Sequence, residues 1–121
     1  MRLAVLILFA LSGTGCDCVG NCTAEAEPAV EITVADAETG LAAAAGASGT
    51  VTDGIFADAL FGGGRDASCR EVLLGGFERA GTYAVRITNA GYRPWSRAGV
   101  RVRGDACGPE TVRLTAELER L

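Results

Sequence analysis

From residue 29 onward the chain alternates. Val30, Ile32 and Val34 are apolar while Glu31 and Thr33 are polar, the period-two signature of a strand with one wet face. The same pattern returns at 82–88, where Tyr83, Val85 and Ile87 share one face and Thr82, Ala84, Arg86 and Thr88 the other. Val100 and Val102 alternate with Arg101 and Arg103. Val112, Leu114, Ala116 and Leu118 alternate with Arg113, Thr115, Glu117 and Glu119. Residues 50–52, 55–61 and 71–74 add three shorter β-prone runs. Asp53-Gly54 between two of them predicts a hairpin, because glycine and aspartate tolerate the positive φ of tight turns. Asp36 to Gly40, Arg79-Ala80-Gly81 and Asn89-Ala90-Gly91 read as turns. The alanine-rich stretch 41–47 reads as an extended or irregular connector, and Gly62-Gly63-Gly64-Arg65-Asp66 as a mobile loop. About seven strands divided by turn signals predict an all-β fold, a seven-stranded antiparallel Greek-key sandwich.

The N-terminus follows a different rule. Met1-Arg2 supplies a positive charge, residues 3–11 (LAVLILFAL) are continuously apolar, and Ser12-Gly13-Thr14-Gly15 are small. This is the three-part layout of an export signal. Nine residues span only about 14 Å as a helix, less than half of a ~30 Å hydrocarbon core, so the run is too short for a permanent span. The small residues before Cys16 resemble a bacterial lipoprotein signal, in which the cysteine is lipidated and becomes the first residue. Gly13 stands where that pattern has leucine. Cleavage near Gly15 with release of a secreted product is the competing reading. The expected organisation is a signal peptide at 1–15, a tether at 16–28 and a folded domain at 29–121. The resemblance implies attachment to a membrane through the N-terminal lipid, in the bacterial cell envelope and facing the periplasm or exterior.

Composition narrows the chemistry. The chain of 121 residues has no histidine, and all 11 of its basic residues are arginine. An imidazole-based triad, a lysine Schiff base and a phosphate loop ending in lysine are therefore unavailable. The net charge of −4 opposes nucleic-acid binding, which needs a basic excess to neutralise phosphates. No cofactor and no metal site are expected. The five cysteines are Cys16, Cys18, Cys22, Cys69 and Cys107. Removing Cys16 to a lipid leaves four, enough for two bridges in an oxidising compartment. Cys22–Cys107 is the favoured pair, because first and last strands of a sandwich often run side by side and parallel. It would close a loop of about 86 residues, worth roughly 4 to 5 kcal/mol in the chain-entropy model. Cys18–Cys69 follows by subtraction.

Gly81-Thr82-Tyr83-Ala84-Val85-Arg86-Ile87 followed by Gly91-Tyr92, together with Ile32-Thr33-Val34-Ala35-Asp36 and Thr39-Gly40, resembles the carboxypeptidase regulatory-like domain. That domain is a transthyretin-like (prealbumin-like) sandwich. Trp95 and Gly99-Val100-Arg101-Val102 resemble the version found in small bacterial lipoproteins. The resemblance implies a non-catalytic binding or scaffolding role and carries over no catalytic residue. Hydroxyisourate hydrolases share the prealbumin fold but use histidines and a C-terminal Tyr-Arg-Gly-Ser, whereas this chain ends Leu118-Glu119-Arg120-Leu121.

One stretch stands out for binding. Tyr92, Arg93, Trp95 and Arg97 place two aromatics and two guanidinium groups in a proline-containing connector, a combination enriched at interface hot spots. An envelope protein, a peptide or a glycan is the expected partner. The alternative is that Tyr92 and Trp95 cap a small core while the arginines are solvated. Arg86, Arg101, Arg103 and Arg113 form a second candidate, a basic stripe suited to anionic lipid or glycan, with cross-strand pairing to Glu31, Glu117 and Glu119 as the alternative. Asp36/Glu38 and Asp53/Asp58 read as turn chemistry.

Overall fold

The computed structural model describes residues 26–121. The expected signal peptide, Cys16, Cys18 and Cys22 lie outside the described residues. Ten strands follow one another: β1 (Val30–Asp36), β2 (Ser48–Asp53), β3 (Phe56–Ala59), β4 (Phe61–Arg65), β5 (Glu71–Gly75), β6 (Gly81–Thr88), β7 (Trp95–Val102), β8 (Gly104–Asp105), β9 (Gly108–Pro109) and β10 (Val112–Leu118). The all-β class is as the alternation predicted. Two four-stranded sheets, ordered β10-β1-β5-β4 and β3-β2-β6-β7, contribute to one hydrophobic core, and β8-β9 form a small hairpin.

The strand count differs from seven for local reasons. The apolar run 55–61 divides at Leu60, whose N–H donates to the Gly49 carbonyl at 2.8 Å and whose side chain is buried. Leu60 thus ends β3 in one sheet and lets β4 begin in the other. The glycine run expected as a mobile loop is β4 itself, paired with β5. Gly63, at φ 109°, lies within the register shift between Phe61 and Gly64, a backbone setting that glycine adopts without a Cβ penalty. The β2–β3 hairpin closes on the pair Asp53 and Phe56, so Gly54 and Ile55 are its central residues, one position later than Asp53-Gly54. Only Gly54 of these two has positive φ, which is the II′ arrangement with glycine first. The stretch 41–47 is a connector with one bridge, Ala35 to Ala42.

Alternation places the core. Val30, Ile32 and Val34 of β1, Tyr83, Val85 and Ile87 of β6, Val100 and Val102 of β7, and Ala116 and Leu118 of β10 are all buried in one cluster. Every named strand pair is antiparallel except β1–β10, which is parallel from Val30↔Val112 to Asp36↔Leu118. The starts of the first and last long strands therefore share one end, here called the near end. Thr111 Oγ1 donates to the Pro28 carbonyl there at 2.6 Å, and the Val112 N–H to that of Ala29 at 2.8 Å.

The near end is closed by side chains. Arg79 pairs with Asp53 at 2.9 Å and lies 4.2 Å from the Phe56 ring centroid. The Tyr83 hydroxyl donates to the Arg79 carbonyl at 2.6 Å, which satisfies the one polar atom of this buried ring.

The cysteines divide between the two ends. Cys107 precedes β10 at the near end and is disulfide-bonded; Cys22, its expected partner, lies outside the described residues. Cys69 is a free, exposed thiol, so the Cys18–Cys69 bridge is not formed. Cys69 lies in the turn before β5, and β5 runs antiparallel to β1 with Val72 opposite Thr33. That turn is therefore at the far end, away from the side where the chain approaches β1. Asp66 holds it by accepting the Ser68 and Arg70 N–H groups at 2.8 and 2.9 Å.

Close sheet packing makes Gly49 sensitive. A Cβ there would collide with the Arg86 carbonyl and approach Leu60 Cδ1 to 2.8 Å. Gly49→Ala is expected to lose about 1–3 kcal/mol by overpacking, measured by denaturant unfolding.

Candidate functional site

The far end is organised by one buried carboxylate. Asp36 continues the inward set Val30, Ile32 and Val34 and is only 2 % exposed. Its Oδ1 accepts the Glu38 and Thr39 N–H groups at 2.8 and 2.9 Å, the turn chemistry expected from sequence. Its Oδ2 accepts the Tyr92 hydroxyl at 2.8 Å and Arg120 Nε at 2.7 Å. Three chain segments thus meet on one side chain: the end of β1, the β6–β7 connector and the tail after β10. The Arg120 bond, the Thr39 N–H and the Tyr92 hydroxyl, in that order, hold the Asp36 carboxyl far below the usual carboxylate range, against the opposing effect of burial. The same carboxylate raises the pKa of both Tyr92 and Arg120 above their ordinary values.

Backbone bonds complete the join. Tyr92 and Arg120 form a bridge, the Arg93 N–H donates to the Glu119 carbonyl at 2.7 Å, and the Leu121 N–H to that of Gly91 at 3.0 Å. The connector is thereby fixed along the C-terminal tail, and this sets where β7 begins.

Trp95 is the first residue of β7, opposite Ile87, rather than part of a connector. Its ring is half-buried and packs against the core cluster. The Arg97 guanidinium lies 5.3 Å from the indole centroid, within cation–π range. Beside the indole runs a groove of about 250 Å³ lined by Arg93, Pro94, Trp95, Ser96, Glu117 and Glu119. It combines an aromatic wall with both signs of charge. Among the described residues, neither Glu117 nor Glu119 forms an ion pair, and neither do Arg93 and Arg97.

The four candidate residues therefore separate. Arg93 and Trp95 line the groove, and Arg97 covers the indole. Tyr92 is committed to Asp36 and acts as a support. Glu117 and Glu119 were not picked out for this site. Alternation shows both as outward on the last strand, but only the contact between β7 and β10 brings them to Trp95. Asp36 had a legible signal, since period two puts it on the core face.

The basic stripe separates too. Arg113 pairs with Glu31 at 3.2 Å across β1 and β10, as charge pairing suggested. Arg86 and Arg101 belong to the other sheet. Among the described residues there is no group of three or more metal-ligating side chains, and no helix is long and apolar enough to cross a membrane.

No protein-family model matches the chain, and no curated protein matches it.

The far-end join has a definite pH dependence. A carboxyl held below its unfolded value stabilises the fold above about pH 4 and loses that contribution as pH falls toward its folded value. A tyrosine held above its unfolded value does so below about pH 10 and loses it on further alkalinisation. Asp36→Asn is expected to lower the thermal midpoint at pH 7 and to reduce the fall on the acid side. Tyr92→Phe should lower it less, remove the tyrosine's part of the alkaline fall and, because its hydroxyl helps to hold the Asp36 carboxyl down, slightly reduce the acid fall as well. Calorimetric scans across pH check both.

Proposed function

We propose that this chain is a non-catalytic, lipid-anchored protein of the bacterial cell envelope. Its β-sandwich, of the prealbumin-like, carboxypeptidase regulatory-like kind, serves as a binding or scaffolding module. Residues 1–15 direct export, Cys16 carries the lipid, and 16–28 tether the domain.

The observation that carries the binding reading is the Trp95 groove. A flat indole face is a seat for a sugar ring or an apolar peptide side chain. Arg93, Ser96, Glu117 and Glu119 supply donors and acceptors at its margin, the pattern by which a mostly apolar site fixes orientation. Asp36 and its partners hold the connector, so the groove is preorganised and little ordering entropy opposes binding. Fold likeness is consistent with this role but does not specify a ligand.

Trp95 is the sole tryptophan in the chain, so its emission reports on the groove directly. Titration with peptidoglycan fragments, and separately with short peptides, is expected to shift or quench that emission saturably. Glu117→Gln with Glu119→Gln should weaken the response about ten-fold, the cost of losing charged hydrogen bonds. Emission that stays constant with both ligand sets would remove the groove as the site. For the anchor, intact mass of the mature protein should show a chain beginning at Cys16 with added acyl mass; an unmodified mature N-terminus would overturn that part.

A further inference from the structure

The outer face of the β3-β2-β6-β7 sheet has a charge pattern unlike the rest of the molecule. Register defines it: Thr50 lies opposite Arg86, Arg86 opposite Ser96, Ser48 opposite Thr88, and Thr82 opposite Arg101. Its remaining positions are alanine and threonine. Asp53 and Asp58 belong to the other side of the sheet, with Val51. The face thus holds arginine and no carboxylate, in a chain whose net charge is −4. Among the described residues Arg86 and Arg101 have no ion-pair partner. The outer face of the other sheet is different, for there Arg113 is paired with Glu31.

Arg86 stands between two shallow depressions of about 200 and 320 Å³, and it lines both. Ser48, Thr50 and Thr88 border one, and Thr50, Thr52 and Ser96 the other. A guanidinium flanked on both sides by hydroxyls suits an oxyanion on a hydroxylated ligand. It offers a planar fork for a carboxylate, and neighbouring hydroxyls both donate and accept.

We propose that this face binds an acidic polysaccharide, with Arg86 seating a carboxylate and Arg101 a second one further along the chain. Charge complementarity selects an anionic ligand. The absence of any large apolar side chain on the face argues against a bilayer, because surface-bound segments anchor by burying such groups among acyl chains. The two depressions on either side of one cation suit a ligand that continues past it in both directions. This site adjoins the Trp95 groove, with which it shares Ser96, but its cations Arg86 and Arg101 do not line that groove.

The test is affinity electrophoresis of the full chain in gels cast with polygalacturonate, with uncharged dextran in parallel. Retardation is expected in polygalacturonate alone and should weaken as salt is raised. Arg86→Ala should weaken binding about ten-fold, Arg101→Ala less. Arg113→Ala, on the opposite sheet, should leave it unchanged. Circular dichroism identical to the parent confirms that the exposed substitution keeps the fold. The proposal is overturned by absence of retardation, by equal loss in Arg113→Ala, or by retardation that survives Arg86→Ala. Preferential binding to phosphatidylglycerol vesicles over polygalacturonate would also overturn it, by identifying a membrane as the occupant.

Discussion

The parallel ladder between β1 and β10 is the constraint on which the rest of the architecture depends. Its register runs from Val30↔Val112 to Asp36↔Leu118 and joins the first long strand to the last. Without it the last strand would not bury Ala116 and Leu118 beside Ile32 and Val34. The tail would not bring Arg120 to Asp36, and Glu117 and Glu119 would not border Trp95. Pairing residues 82 apart in sequence is entropically costly, because a long loop must close before any contact forms. The compensation is apolar burial on both strands, joined by polar contacts at each end of the two sheets.

Those two sets of contacts differ in kind. At the near end, Arg79, Asp53 and Phe56 sit at the margin, where water screens the ion pair and most of the stabilisation is the stem of the arginine on the rings. At the far end, Asp36 is buried and accepts four hydrogen bonds, so its negative charge is fully matched. A buried charge with a complete set of partners has few alternative arrangements. It therefore fixes three chain segments relative to one another, which a purely apolar contact of similar area would do less sharply.

The fold was legible where residues alternate. Tyr83, Val85 and Ile87 on one face, or Val112 to Leu118 on theirs, announce both strand and orientation, since a one-residue slip would expose the whole set. The parallel placement of first and last strands was also expected. The pattern was silent where conformation depends on a neighbour. Three glycines carry no side-chain signal, so β4 exists only because β5 offers a ladder. Leu60 looks like any apolar residue in a β-prone run, yet it marks the change of sheet. The site was half legible for the same reason. Trp95, Arg93 and Arg97 were visible as residue types. Glu117 and Glu119 became part of it through a long-range contact, and Tyr92, grouped with the others by residue type, is held by a carboxylate 56 residues away.

The shared direction of β1 and β10 also gives the molecule two poles. Six residue steps along β1, at ~3.3 Å each, separate them by roughly 20 Å. The polypeptide preceding Ala29 arrives at one pole, and the indole of Trp95 opens at the other. Any fastening applied through that preceding segment would leave the aromatic wall standing clear of the point of attachment. The domain would then work as a standoff, holding that wall toward whatever lies beyond rather than toward its own mooring.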